Sequence, residues 1–156
     1  MKKFFVLMMV LILTVLSVSA QWQEYEEVDM MTDARMFALY QHAETSTNTV
    51  TAPLFVFRWS KEGVFEILMG WGGWPMLETD GLIRYGSNPA VPIEVIGLSN
   101  DLGSTHFGNP EEILAKIRTL PPSEYITVAC TTVAGVQSIA KFKVGDLQII
   151  LMKNKK

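Results

Sequence analysis

The chain has 156 residues, 49% of them hydrophobic, with 13 Lys or Arg against 16 Asp or Glu. The resulting formal charge of -3 argues against nucleic acid as a partner, because binding to phosphates needs a basic surface. A single cysteine, Cys130, excludes a disulfide within the chain, so the fold has to depend on packing alone.

Residues 1–20 have the features of a signal peptide. Lys2 and Lys3 precede an uncharged apolar segment at 4–18, and Ala20 ends the small-residue pattern Val-Ser-Ala. The alternative is a permanent anchor, but the apolar segment is short for a membrane-spanning helix and no basic cluster follows it. We therefore expect cleavage after Ala20 and a single β-rich domain over residues 21–156. This domain would have no stable membrane span and would lie outside the cytoplasm, either periplasmic or secreted.

The first part of this domain is difficult to assign. The acid-rich segment at 21–29 is typical of a charged edge strand, for which metal ligation by its glutamates is the less common alternative. The next apolar residues have helical spacing: Met36, Leu39, Tyr40 and Ala43. Periodicity alone therefore favours a short helix over residues 35–43.

The rest of the chain has mainly the pattern of strands. Residues 53–71 predict a β-hairpin whose turn contains Gly63. Further strands are predicted at 82–86, 91–97, 106–107, 124–132, 136–144 and 146–152. Pro92 would suit the edge of a sheet, because proline has no N–H to donate. Cys130 falls in the strand at 124–132, where a buried and unreactive thiol is expected.

One helix is predicted at about residues 110–120. Asn109 would be its N-cap, Pro110 its first residue, and Glu112 the partner of Asn109 in a capping box. Ile113 and Ile117 would share its apolar face. Many short strands with one helix predict a mostly β fold, an antiparallel sandwich or barrel-like domain with this helix packed on it.

A series of short motifs gives the chain a family resemblance. In order they are Trp22, Thr32–Asp33, "PLFVFR" at 53–58, Ile67 with Trp71, Arg84, "SND" at 99–101, Phe107, and Phe142 with Gly145. Together they resemble the small envelope proteins associated with type VI secretion, and phage proteins of similar pattern. The resemblance implies a mostly β, non-catalytic domain. It also implies a strand at residues 35–43, which we adopt over the helix.

The chain departs from that family pattern in places. Family members carry a cysteine where this chain has Trp59, and a second one near the end, so the family's disulfide is not expected here. The tryptophan that usually precedes the "SND" motif is also missing.

Signatures of catalysis are missing from the sequence. It contains no Gly-x-Ser-x-Gly, His-Glu-x-x-His, Cys-x-x-Cys, P-loop or dinucleotide motif. The two histidines, His42 and His106, are far apart in the chain, and no residues near His106 and Asp101 have the spacing of metal ligands. We therefore expect no enzymatic activity, no metal and no cofactor.

Two arginines lie inside apolar strands. If Arg58 or Arg84 pointed inward it would need a carboxylate partner, for which Glu66 and Glu94 are the candidates. Outward arginines that alternate with inward aliphatic residues are the favoured interpretation.

The segment "GWGGWPM" at 70–76 predicts the end of a strand followed by a bend, because its glycines tolerate backbone angles that other residues resist. Trp71 would then belong to the core and Trp74 would be less buried.

We expect a non-catalytic domain that binds another envelope protein and is, by the resemblance, linked to a secretion system. The alternative is a small-ligand or glycan-binding domain in which Trp74 and Tyr85 form a stacking surface. The candidate binding residues are Trp74, Tyr85 and Arg84.

Overall fold

A computed structural model describes residues 21–28, 34–47, 51–98 and 103–154 of the protein. The expected signal peptide at 1–20, the Thr32–Asp33 pair and the "SND" motif at 99–101 lie outside these residues. Within the described residues, no helix is long and apolar enough to cross a membrane.

The protein is mostly β, with two antiparallel sheets packed against each other. Sheet A has its strands in the order β1 (Gln23–Val28), β2 (Arg35–His42), β4 (Leu54–Trp59), β5 (Phe65–Gly70), β9 (Ser104–Phe107) and β8 (Val95–Leu98). Sheet B has the order β3 (Thr45–Ser46), β11 (Gln137–Lys143), β10 (Tyr125–Thr131), β6 (Gly81–Tyr85) and β7 (Val91–Ile93). The helices among these described residues are α1 (Pro110–Arg118) and α2 (Leu147–Lys153). The predicted sandwich-like, mostly β fold is confirmed.

The strand at residues 35–43 is confirmed as β2, against the helical spacing of its apolar residues. β2 pairs along its length with β1 on one side and β4 on the other. Two neighbouring strands satisfy the backbone N–H and C=O groups of β2, and this tertiary pairing outweighs a weak local preference for helix.

The prediction of a strand at 146–152 is wrong, because this segment forms helix α2. Leu147, Ile150 and Leu151 are buried and follow the spacing of one helix face, while Ile149 and Met152 are exposed. A short apolar run is compatible with either a buried strand or a helix, so the sequence pattern could not distinguish them.

The single strand predicted at 91–97 is two strands in different sheets. β7 belongs to sheet B and β8 to sheet A, and the chain crosses between the sheets at Glu94. Ile93 and Val95 are both buried on either side of this crossing. Pro92 lies on β7, the edge strand of sheet B, as predicted.

Helix α1 begins at Pro110 as predicted, but the capping box does not form. Asn109 has a left-handed backbone (φ 51°) and makes no side-chain capping hydrogen bond. Its carbonyl instead accepts hydrogen bonds from the N–H groups of Glu112 and Ile113. Ile113, Leu114 and Ile117 are buried, so the predicted apolar face is confirmed.

Aromatic side chains fill the space between the sheets. Phe55 stacks on Phe142 across the sandwich, with ring centroids 5.3 Å apart. Trp22 packs against Phe57 at 5.1 Å, and its indole Nε1 donates a hydrogen bond to the carbonyl of Val144 at 2.9 Å. The chain just after residue 20 is thereby fixed to the segment that precedes α2.

Cys130 is buried in this core, as predicted. Burial raises the pKa of its thiol to about 12, partly offset by a hydrogen bond with Thr105. The thiol therefore stays protonated at neutral pH, and the thiolate needed for nucleophilic or metal chemistry does not form.

Candidate binding surfaces

The segment at 70–76 forms the bend that its glycines predict. Gly72 (φ 66°) and Gly73 (φ 85°) turn the chain directly after β5. Trp71 is fully buried and donates a hydrogen bond from Nε1 to the hydroxyl of Thr105 at 3.1 Å. Trp74 is 41% exposed. The prediction of a strand end followed by a bend, with Trp71 in the core, is confirmed.

Trp74 lies beside the turn between β10 and β11. The N–H of Val133 donates to the carbonyl of Pro75 at 3.1 Å, so the bend and the turn are held together. Val133 and Val136 in the turn are exposed, and Val136 shares a depression of about 80 Å³ with Trp74. Three apolar side chains, Trp74, Val133 and Val136, are thus presented to solvent at one end of sheet B.

An apolar row crosses the outer face of sheet B. Leu82 of β6 is directly opposite Pro92 of β7 and Ala129 of β10, and Ala129 is opposite Ile139 of β11. Residues paired in this way have side chains on the same face of a sheet. Leu82 is 40% exposed and Ile139 is 36% exposed, whereas Ala129 between them is buried, so the row contacts solvent through Leu82 and Ile139.

A second row on the same face is polar and positively charged. Arg84 of β6 is opposite Thr127 of β10, which is opposite Lys141 of β11. The ammonium of Lys141 also lies 4.1 Å from the centroid of the Tyr125 ring. We call the apolar row, this cationic row and Trp74 together the sheet-B face. Arg84 is exposed here, as the outward interpretation predicts.

Tyr85 does not share this face, because successive residues of a strand point to opposite sides of the sheet. It is only 7% exposed and packs toward α1. It also lies far from Trp74: Tyr85 is paired with Ile126 at the start of β10, whereas Met76 is bridged to Thr132 at its end. Six residues of strand separate these positions, about 20 Å. The expected stacking surface shared by Trp74 and Tyr85 is therefore not formed.

Tyr85 instead forms the floor of an open groove between α1 and the β6–β7 turn. The groove has a volume of about 440 Å³ and is lined by Tyr85, Asn88, Pro89, Val91, Lys116, Thr119 and Leu120. A narrower cleft of about 70 Å³ continues from it along α1 and shares Tyr85, Val91 and Lys116. We call this feature the α1 groove.

The arginine of β4 has one of its predicted partners. Arg58 donates from Nε and Nη2 to a carboxylate oxygen of Glu66 at 2.8 and 2.6 Å, across neighbouring strands. Both side chains are about one third exposed, so the pair is on the outer side of sheet A rather than in the core. Glu94, the candidate partner of Arg84, packs against Gly108.

The histidines are not brought together. The residue pairing places His42 of β2 and His106 of β9 on the outer face of sheet A, with β4 and β5 between their strands. Three strand spacings alone amount to about 14 Å, and His106 is offset from the row of His42 by two further residues along β9. Among the described residues, no three His, Cys, Asp or Glu side chains are close enough together to hold a metal ion.

The sequence could identify Trp74 and Arg84 as candidates, but it could not show the two rows. The sequence does show that Leu82 and Arg84, like Ile139 and Lys141, are two residues apart and would therefore share one face of a strand. This spacing is the sequence signal for the two rows. Their alignment depends on strand register, which alternation alone does not give.

Comparison with protein-family models, curated proteins and solved structures found no match to this chain.

Proposed function

We propose that this protein is an exported, non-catalytic β-sandwich domain that binds another protein of the cell envelope through the sheet-B face. The observation that carries the proposal is the apolar row of sheet B, in which Leu82 and Ile139 are exposed, together with the exposed indole of Trp74. Exposed apolar surface with polar residues around it is typical of protein interfaces. Tryptophan and arginine are the residues that most often dominate their binding energy.

The charges on this face favour a partner of a particular chemistry. The protein as a whole is acidic, yet Arg84 and Lys141 flank Thr127 in the row next to the apolar row. A matching partner surface would place aliphatic or aromatic side chains against Leu82 and Ile139, and carboxylates against the cationic row. Such charge pairing determines orientation and association rate more than affinity.

The proposed location of the protein outside the cytoplasm is argued from the sequence alone. The positive start, the apolar segment and the small residues up to Ala20 support export and cleavage. A link with type VI secretion rests only on the resemblance of the short motifs, and it remains part of the proposal.

Glycan binding by Trp74 is the second candidate function. The depression beside its indole is also lined by Thr47, Thr132 and Gln137, whose hydroxyl and amide groups are able to hydrogen-bond to a sugar. Its volume of about 80 Å³ leaves room for little more than one edge of a sugar ring, which is why protein binding is preferred.

The principal test is capture of a partner from envelope extract by the immobilised protein. Leu82→Asp and Trp74→Ala each alter an exposed side chain of the sheet-B face, and Ile149→Asp is the matched control on the exposed side of α2. We expect a stoichiometric partner that is lost with Leu82→Asp and Trp74→Ala and retained with Ile149→Asp. A partner captured equally by all variants, or no partner, would contradict the proposal.

Two further measurements separate the components of the proposal. Mass spectrometry of the protein produced in a secreting bacterial host should give a mature chain that begins at Gln21, and an uncleaved chain in the cytosol would refute export.

Titration with soluble cell-wall oligosaccharides, followed by tryptophan fluorescence, tests the glycan alternative. A saturable shift that Trp74→Ala abolishes would favour glycan binding over the protein partner.

A further inference from the structure

We propose that the α1 groove is a binding site for a small apolar carboxylate, separate from the sheet-B face and independent of the protein-binding function. Its apolar floor and walls would hold the hydrocarbon part of the ligand, and Tyr85 and Lys116 would hold its carboxylate.

The shape and lining of the groove suit a small molecule. Its volume of about 440 Å³ falls within the range of ligand pockets, roughly 300–1,000 Å³. Val91, Leu120 and the ring of Tyr85 give it apolar surface. Ligand sites are typically apolar clefts in which a few polar groups fix the orientation of the ligand, and the α1 groove has this composition.

The hydroxyl of Tyr85 is a hydrogen-bond donor that the groove offers to a ligand. Tyr85 as a whole residue is only 7% exposed, but its hydroxyl is accessible from the groove and makes no hydrogen bond to another described residue. Because Tyr85 lines both the groove and the adjoining cleft, this hydroxyl is available to a molecule that enters from solvent.

The hydroxyl would act as a donor. Burial, reinforced by the negative charge of Glu112, raises the pKa of Tyr85 to about 12, so the phenol keeps its proton at neutral pH. A protonated phenol donates well to a carboxylate, and a hydrogen bond to an ionised acceptor is about twice as strong as a neutral one.

Lys116 supplies the positive charge. Its ammonium lies 5.7 Å from the centroid of the Tyr85 ring and is the charged group that lines the wide part of the groove. It also pairs with Glu112 one turn earlier on α1, at 2.7 Å. This pair is exposed, and exposed pairs of this kind contribute little to stability, so a carboxylate ligand could compete for Lys116 at small cost.

The test uses indole-3-acetate as the probe and indole-3-acetamide, its uncharged analogue, as the matched ligand control. Binding is followed by amide chemical shifts of the nitrogen-15-labelled full chain. We expect saturable shifts that centre on Tyr85, Val91, Lys116 and Leu120, with the acid bound about tenfold more tightly than the amide, as a charge-assisted hydrogen bond implies.

Variants assign the roles of the individual groups. Tyr85→Phe should weaken binding of the acid severalfold while leaving the urea midpoint unchanged, because the hydroxyl has no partner within the protein. Lys116→Gln should reduce the affinity for the acid to that for the amide. Glu112→Gln should strengthen binding of the acid, because it releases Lys116 and removes a nearby negative charge.

Lys141→Gln is the protein control. It removes a lysine from the sheet-B face and should leave binding of the acid unchanged, so failure of one proposal is distinguishable from failure of the other. The groove proposal is overturned by equal affinities for acid and amide, by unchanged binding in Tyr85→Phe, by shifts that spread away from the groove, or by the lack of any saturable shift.

Discussion

Trp22 offers a direct test of how the sandwich is closed. Its indole is buried, packs against Phe57 with ring centroids 5.1 Å apart, and donates a hydrogen bond to the carbonyl of Val144 at 2.9 Å. We expect Trp22→Ala to destabilise the protein strongly, because it removes core packing and a connection between distant parts of the chain at the same time.

The size of this effect follows from the contacts that are lost. Replacing a buried tryptophan by alanine typically costs about 3–5 kcal/mol, of which a hydrogen bond accounts for about 1 kcal/mol. Val144 keeps a second donor, the N–H of Leu147, so its carbonyl is not left without a partner. Since domains have stabilities of about 5–15 kcal/mol, Trp22→Ala should remove a large part of the total. Trp22→Phe, which keeps a ring but loses the hydrogen bond, should cost about 1–2 kcal/mol.

Urea unfolding followed by circular dichroism is the appropriate assay, because either tryptophan substitution would itself change the fluorescence. Trp74→Ala is the matched control: the residue type is the same but the side chain is 41% exposed, so its cost should be well below that of Trp22→Ala. If Trp22→Ala were no more destabilising than Trp74→Ala, the proposed role of Trp22 in closing the core would be refuted.

Stability should fall as the pH rises from about 9 to 12. Folding raises the pKa of Cys130 from 9.0, and that of Tyr85 from 10.0, to about 12, so the folded protein holds protons that the unfolded chain releases. Thermal unfolding across this range should show a smaller decline in Cys130→Ala, and an identical decline would contradict burial of the thiol. In a separate test, Gly81→Ala should cost about 1–3 kcal/mol, since its β-carbon would lie 2.7 Å from the carbonyl oxygen of Ala129. Gly97→Ala, which meets nothing within 4 Å, is the control in the same urea assay.

Local patterns were sufficient to predict most of the β-structure. The hairpin at 53–71 combines strand periodicity with a turn glycine, and the helix at Pro110 combines helical periodicity with a proline at its first position, so in each case two signals agree. Residues 146–152 had only a run of apolar residues, and their helical state depends on which of them face the core. The division of the predicted strand at 91–97 also depends on packing, because each half pairs with a different sheet.

The candidate surfaces were harder to predict than the fold. Exposure of Trp74 follows from its position after two bending glycines, which the sequence does indicate. The predicted surface shared by Tyr85 and Trp74 was wrong, because aromatic character does not determine the side of a sheet on which a residue lies. β6 directs Arg84 outward and Tyr85 inward. The sheet-B face and the α1 groove both depend on register and on where α1 packs, which no single segment of the sequence contains.

The connection of Trp22 to Val144, and of Glu24 to Lys153 and Asn154, has a consequence for biogenesis. These contacts join segments that lie more than 120 residues apart in the chain, so the native sandwich cannot close until both segments have been synthesised. Under the proposed export, the core would assemble only after Val144 had reached the far side of the membrane.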